Sequence, residues 1–97
     1  MKKKEKIVQA GSEDGQKAGE AIVEVVENQL ANNNPPETKQ ALERIIKSGE
    51  SRENAIRYIA SVLSIEIFGV LKHQESYNNE RYITNLKALP KLPNELT

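Results

Sequence analysis

The stretch ASVLSIEIFGVL, residues 60–71, is the most apolar part of the chain, and it contains a glutamate, Glu66. The spacing of apolar residues on both sides of it predicts one long helix over residues 52–73. At about 100° per residue, Glu66 lies within about 20° of Ala55, in the middle of the apolar face. A buried carboxylate costs free energy unless it is paired. The sequence therefore predicts a polar partner for Glu66 inside the fold.

Three further helices are predicted around this one from the same helical spacing. The first begins near Ala18 and ends before Pro35 and Pro36, because proline lacks the amide hydrogen. The second, with Asn34 as its N-cap, ends near a C-capping Gly49. The last covers residues 79–89 and ends before a proline. The side chains expected to face the core are Ala18, Ala21, Ile22, Val25, Val26, Leu30, Leu42, Ile45, Ile46, Tyr82, Ile83, Leu86 and Leu89.

These elements predict an all-α fold: a small four-helix bundle with a central long third helix, packed as a dimer. With 97 residues the chain is long enough for one modest core, and a partner subunit would add buried surface. We expect a flexible N-terminal arm over residues 1–15, a helical domain over residues 16–90 and a C-terminal tail over residues 91–97. Ser51 is expected to cap the third helix after a short turn.

Composition excludes several classes of function. The chain carries 14 basic and 14 acidic residues, and this balance argues against a nucleic acid as partner. Cysteine is absent, so thiolate metal sites, disulfides and cysteine nucleophiles are excluded. No apolar run reaches the ~20 residues of a membrane helix, and no signal-peptide core follows the first lysines. We expect a cytoplasmic protein without a membrane partner.

Polar residues on the inward faces indicate a candidate site. Gln29 falls among the apolar residues of the first helix, as Glu66 does on the third. His73 lies on the same stripe as Glu66, two turns later, and Tyr82 is on the inward face of the last helix. Since buried polar groups are nearly always hydrogen-bonded, we predict one buried polar cluster of Gln29, Glu66, His73 and Tyr82.

A dimer interface is predicted on the other side of the third helix. Ile65 and Phe68 interrupt its polar face, and the small residues Ser61 and Ser64 permit close approach of a second helix. Scattered surface apolar residues are common, however, and are the alternative explanation.

Three segments carry a family resemblance: VENQLANNNPPETKQALERIIKSG (26–49), SRENAIRYIASVLSIEIFGVLK (51–72) and NNERYITNLKALP (78–90). Together they resemble the C-terminal half of an uncharacterised bacterial family, domain of unknown function number eighteen forty-one. The resemblance covers roughly residues 20–90, and it implies a small all-helical bundle with no assigned activity. The matching positions are Gln29, Pro35, Pro36 and Glu66.

The chain departs from that family at positions of possible metal ligands. Related sequences tend to carry histidines on the first helix and where the apolar run of the third helix begins. Here the first helix has Glu24 and Glu27, and the comparable position of the third helix is Arg57. The departure weighs against a family metal site, and we predict neither a resident metal nor a cofactor.

The function that these features favour is an interaction or regulatory module that acts as a homodimer, with an unidentified protein as a further partner. One alternative is a metal or small ligand bound in the bundle interior by Glu66, Gln29 and His73. Another is a weak helix-turn-helix-like contact with DNA through Arg52, Asn54 and Arg57. No set of residues has the spacing of a catalytic site, and we do not expect an enzyme.

Overall fold

One long helix packed against three shorter ones organises the chain. The structure is a computed structural model that describes residues 19–94, and within them it contains four helices and no strand. The helices are α1 (residues 19–32), α2 (Pro36–Lys47), α3 (Arg52–His73) and α4 (Asn79–Ala88). The helices α2, α3 and α4 all contact one another. The predicted all-α class is confirmed.

A single apolar core joins the four helices, as one domain requires. Its members come from every helix and from the residue after α4: Ile22, Val26, Ala41, Ile45, Ala55, Ile56, Ile59, Val62, Leu63, Tyr82, Leu86 and Leu89. The predicted arm, residues 1–15, lies outside the described residues. The start of the predicted domain, 16–18, and the end of the predicted tail, 95–97, also lie outside them.

The end of α1 uses two asparagines in a way that the sequence did not predict. Asn33 has a positive φ of 50°, and its N–H donates to the carbonyl of Leu30 at 3.2 Å. The N–H of Asn34 donates to the carbonyl of Gln29 at 3.0 Å. This pair of bonds is a Schellman motif, which satisfies the last carbonyls of a helix. Asn34 therefore closes α1, and the prediction that it caps α2 is wrong, because Pro35 holds that N-cap position.

The turn between α2 and α3 follows its sequence signals. Gly49 has a φ of 114°, which residues with a Cβ rarely adopt, and its N–H donates to the carbonyl of Ile46 at 3.0 Å. The Ser51 hydroxyl accepts the N–H of Asn54 at 3.0 Å and caps α3. The predicted short turn between the second and third helices is present, and Ser51 caps the third helix as expected.

The inner face of α3 is buried along Ala55, Ile59, Val62 and Glu66, at the predicted helical spacing. Residues 70–73 are all exposed, so the last turn of the helix extends beyond the core.

Several residues expected to face the core are exposed. Val25 is 40% exposed beside the buried Val26, and Ile46 is 39% exposed beside the buried Ile45. Consecutive residues of a helix point about 100° apart, so both members of such a pair cannot occupy the centre of one face. Ala21 is also exposed.

α4 is held at its C-terminal end by α2. The Arg44 guanidinium donates to the carbonyls of Leu86 and Leu89, at 2.6 and 2.8 Å. Both carbonyls lie at the C-terminal end of the helix, where the carbonyl of Leu86 also accepts the N–H of Leu89 at 3.3 Å. A cation there also interacts favourably with the negative end of the helix dipole. The helix ends at Ala88 rather than at the predicted Leu89, because a residue before proline prefers extended backbone.

α3 is also the one helix among residues 19–94 that is long and apolar enough to cross a membrane by length and composition. Core helices of soluble proteins can have the same length and composition. Its inner face packs on the other helices and carries the buried Glu66, so we interpret it as a core helix.

Gly49→Ala tests the α2–α3 turn. No atom lies within 4 Å of the position of an added Cβ, so the cost comes from backbone strain at positive φ, and we expect a loss of about 1 kcal/mol. Urea unfolding followed by circular dichroism measures it. The control is Gly19→Ala, which adds a methyl group to open space in α1 and should leave stability unchanged or higher. Equal destabilisation in both variants would contradict the role assigned to Gly49.

Candidate functional site

A buried ion pair joins the middle of α3 to the start of α4. The Glu66 side chain is fully buried, and its Oε2 accepts from Nε of Arg81 at 2.6 Å. Its Oε1 accepts from Nη2 of Arg81 at 3.0 Å and from the backbone N–H of Asn78 at 3.1 Å. Both carboxylate oxygens thus have charge-assisted partners in a bidentate arrangement, which is the strong form of this contact.

The local structure at the start of α4 orients the Asn78 N–H and the Arg81 guanidinium toward Glu66. The Asn78 side chain accepts the N–H of Arg81 at 2.9 Å and caps the helix, which places Arg81 in the first turn. The N–H of Asn78 then points at the carboxylate of Glu66. The positive end of the helix dipole also favours a negative charge at this position. We call Glu66, Asn78 and Arg81 the Glu66 cluster.

A glycine allows the connection between α3 and α4 to lie close to this cluster. The Glu75 N–H donates to the carbonyl of Gly69 at 3.0 Å, and Glu75 Oε1 is 3.7 Å from Nη2 of Arg81. A Cβ at Gly69 would lie 2.9 Å from that same carboxylate oxygen. Glycine therefore leaves the space in which the second acid approaches Arg81.

A second polar cluster ties α1, α2 and α4 together. Gln29 Oε1 accepts from the Thr38 hydroxyl at 2.8 Å and from the Tyr82 hydroxyl at 2.7 Å. Thr38 and Tyr82 are fully buried. Burial raises the pKa of Tyr82 to about 12, although its hydrogen bonds with Thr38 and Gln29 act in the opposite direction. We call Gln29, Thr38 and Tyr82 the Tyr82 cluster.

Tyr77 lies between the two clusters. Its ring meets that of Tyr82 edge to face, with centroids 6.4 Å apart. Burial, and then the negative charge of Glu66, raise the pKa of Tyr77. The clusters are therefore neighbours, but their hydrogen bonds are separate.

The single cluster of Gln29, Glu66, His73 and Tyr82 that the sequence predicted does not form as such. Gln29 and Tyr82 are hydrogen-bonded to each other, while Glu66 belongs to the neighbouring ion pair. His73 is exposed, because it lies in the last turn of α3, beyond the core. The prediction that His73 joins a buried cluster therefore does not match its position in the structure.

Sequence reasoning missed Arg81, Asn78 and Thr38. A signal for Thr38 was available, since it lies three and seven residues before the buried Ala41 and Ile45 on the same stripe. For Arg81 the signal was indirect. A buried carboxylate requires a cation as partner, and Arg81 was a candidate because it is adjacent in sequence to the inward-facing Tyr82.

The predicted interface residues have different environments. The hydroxyl of Ser61 donates to the carbonyl of Arg57 at 2.9 Å, and that of Ser64 donates to the carbonyl of Ser61 at 2.6 Å. Both serines thus bond to their own helix. Ile65 is half-buried, and Phe68 is 43% exposed.

Phe68 also belongs to an apolar surface that crosses from α3 to α1. It borders a depression of about 220 Å³. The depression is lined by Ala21, Ile22, Val25, Ile67, Phe68 and Leu71, which we call the α1–α3 apolar face. Leu71 is 72% exposed, the most of any large apolar side chain in the described part of the chain.

The two polar clusters offer little capacity for a ligand. Each oxygen of Glu66 already accepts a charged donor, and Gln29 Oε1 accepts two hydroxyls. Within residues 19–94 no group of three or more His, Cys, Asp or Glu side chains could hold a metal ion. The predicted ligand set of Glu66, Gln29 and His73 is not brought together.

The residues of the DNA-binding hypothesis are engaged with acids of the same chain. The pairs are Arg52–Glu27 at 2.9 Å, Asn54–Glu50 at 3.1 Å and Arg57–Glu53 at 3.2 Å. The two hydrogen bonds from Arg52 hold the pKa of Glu27 below its ordinary value. These neighbouring acids offset the positive charge of the two arginines, which is unfavourable for a DNA contact.

Comparisons with protein-family models, with curated proteins and with solved structures return no match for the chain. The resemblance of residues 20–90 to the bacterial family stays a prediction.

Replacing Arg81 and replacing Glu66 should lower the free energy of unfolding by different amounts. Arg81→Leu leaves a buried carboxylate without its cation, and we expect a loss of about 3 kcal/mol. In Glu66→Leu the Arg81 side chain keeps access to water, because it is 33% exposed, and it stays close to Glu75. We therefore expect a smaller loss of about 1 kcal/mol. Urea unfolding of both variants measures the difference. Lys87→Ala on the exposed face of α4 is the control, and equal losses for the two pair variants would contradict the unequal roles of the two partners.

Tyr82 should make the fold sensitive to alkali. Its pKa is about 12 in the fold and about 10 when unfolded, so its contribution is complete below pH 10 and is lost as pH rises through 12. Two pKa units correspond to about 3 kcal/mol. Urea unfolding below pH 10 and near pH 12 should show this loss in the native protein and a smaller one in Tyr82→Phe. Tyr58→Phe, which removes a half-buried tyrosine hydroxyl elsewhere, should keep the full loss. A Tyr82→Phe variant with an unchanged alkaline slope would refute the assignment.

Proposed function

We propose that the chain is a cytoplasmic bacterial protein-interaction module that acts as a homodimer and has no enzymatic activity of its own. Its subunits meet through the α1–α3 apolar face. The observation that carries the proposal is the exposure of large apolar side chains on that face, with Leu71 at 72% and Phe68 at 43%.

The shape of the face suits a protein partner better than a small ligand. Phe68, Leu71 and Val25 border a depression that is open to solvent rather than a closed cavity. Small-molecule sites are usually concave, with a few convergent polar groups, and all six residues of this face are apolar. Contiguous exposed apolar surface on a small soluble domain is typical of a docking surface.

The charges at the rim favour a second copy of the chain as the occupant. On α1, Glu24 is exposed next to Val25. On α3, Lys72 follows Leu71, and its Nζ lies 5.5 Å from the centroid of the Phe68 ring. In a twofold dimer the same patch is used by both subunits, so the acidic α1 edge of one can face the basic α3 edge of the other. Such a rim contributes orientation more than affinity.

The size of the domain supports the same proposal. A chain of 97 residues buries a smaller fraction of its surface than a larger domain does, and it gains more from a partner. The dimer candidates Phe68 and Ile65 remain part of the proposal, at or beside the face, whereas Ser61 and Ser64 serve as small residues whose hydroxyls are already bonded within α3.

The α1–α3 apolar face is tested by Leu71→Asp. The side chain is largely exposed in the monomer, so the substitution should not unfold the protein, but it would bury a charge in the dimer. We expect the dissociation constant to rise at least about tenfold, the equivalent of ~1.4 kcal/mol. Sedimentation equilibrium across a wide range of protein concentration measures it, with circular dichroism to show an unchanged fold.

The matched control is Val70→Asp. Val70 is the preceding residue of α3 and is 41% exposed, yet it does not line the face. It should leave the dimer intact. A native protein that stays monomeric at millimolar concentration would overturn the homodimer, and equal effects of the two variants would show that the face is misplaced.

A further inference from the structure

A second groove lies between α1 and the first half of α3. It has a volume of about 730 Å³. We call it the Ile56 groove. Its lining residues are Gly19, Glu20 and Val23 of α1 and Glu53, Ile56, Arg57, Ala60 and Ser61 of α3. It shares no residue with the α1–α3 apolar face, so it requires a separate explanation.

We propose that the Ile56 groove is the docking site of the N-terminal segment of the same chain, residues 2–8. In this arrangement Ile7 and Val8 contact the apolar side chains of the groove. The lysines that precede them lie at its acidic edge. This segment belongs to the residues that the structure does not describe, and its sequence and the lining of the groove support the assignment.

The charges of the two parts are complementary. The segment has lysines at positions 2, 3, 4 and 6 and one acid, Glu5. The groove carries two exposed acids, Glu20 on α1 and Glu53 on α3, and one exposed cation, Arg57 on α3, so its net charge is negative. Glu53 is paired with Arg57 at 3.2 Å, but both side chains are more than two-thirds exposed, so this pair contributes little and a lysine can compete for the carboxylate.

The apolar parts are also complementary. Ile7 and Val8 are the only large aliphatic residues among positions 2–18. Val23 and Ala60 are half-buried and Ile56 is buried, so the groove offers an apolar floor that is partly open to water. Covering that floor with two aliphatic side chains removes apolar surface of both parts from water, which is favourable.

The position of the segment in the chain makes this contact easy to form. The described residues begin at Gly19, which itself lines the groove. Val8 lies eleven positions before it, and at about 3.3 Å per residue this stretch reaches up to ~36 Å. The stretch contains Gly11 and the pair Asp14–Gly15, which favour a reversal of chain direction. A segment tethered in this way has an effective concentration in the millimolar range at the groove.

The absence of cysteine allows a direct test with a spin label at one site. A nitroxide is attached to Gln9→Cys in the full-length chain labelled with ¹⁵N, and signal intensities are compared before and after reduction of the nitroxide. We expect a marked loss of intensity at the amides of Val23, Ile56 and Ala60. Leu71 lies about 22 Å farther along α3 than Ile56 and should keep most of its signal.

Two variants of the labelled protein test the contacts themselves. Reversing the acidic edge with Glu20→Lys and Glu53→Lys together should restore much of the intensity at Ile56, as should replacement of Ile7 and Val8 by aspartate. The matched control is Glu80→Lys, which reverses an exposed acid on α4 away from the groove and should change nothing.

Three results would overturn the proposal. The first is no loss at Ile56, and the second is a loss at Leu71 as large as that at Ile56. The third comes from mixing ¹⁵N-labelled protein without a spin label with unlabelled protein that carries one. A loss of signal intensity at the Ile56 amide in that mixture would show that the segment binds a second copy of the chain. None of these outcomes depends on the dimer face, since Leu71→Asp can be present throughout, with the backbone amide at position 71 still serving as the distant probe.

Discussion

The buried negative charge of Glu66 is the constraint on which the arrangement of α3 and α4 depends. An unpaired carboxylate in a core costs about 3 kcal/mol, which is a large part of the free energy that stabilises a small domain, so the fold gains much from a cation at that point. It does so with the first turn of α4, where Arg81 and the N–H of Asn78 converge on both oxygens. The connection of residues 74–78 brings the start of α4 to this point of α3.

Much of the scaffold could be predicted because its signals are local. Helical spacing of apolar residues indicated the bounds of α3, and the capping role of Ser51 and the positive φ of Gly49 were expected from residue type alone. The exception at Asn34 is instructive. An asparagine before a proline pair suits the start of one helix and the end of another, and only the backbone geometry at Asn33 decides between them.

The polar contacts were harder to predict because they join residues that are distant in sequence. Periodicity gives the direction of Gln29 and of Glu66 from their own helix axes, but it does not give the rotation or depth of the neighbouring helix. Tyr82 is 53 residues from Gln29, and its choice of that acceptor depends on how α4 packs. His73 shows a second limit of periodicity. A residue on the inward stripe is buried only where another helix packs against that stripe, and the last turn of α3 extends past its neighbours.

The contact of Arg44 with the end of α4 bears on how far the chain can be shortened. The guanidinium bonds the carbonyl of Leu89, 45 residues later and beyond the last helical residue. A truncation after Ala88 would remove one of its two acceptors and the buried Leu89 side chain together. Leu92 also packs against the core, so the minimal domain extends past α4, and a fusion partner or affinity tag at this end should be joined after Leu92.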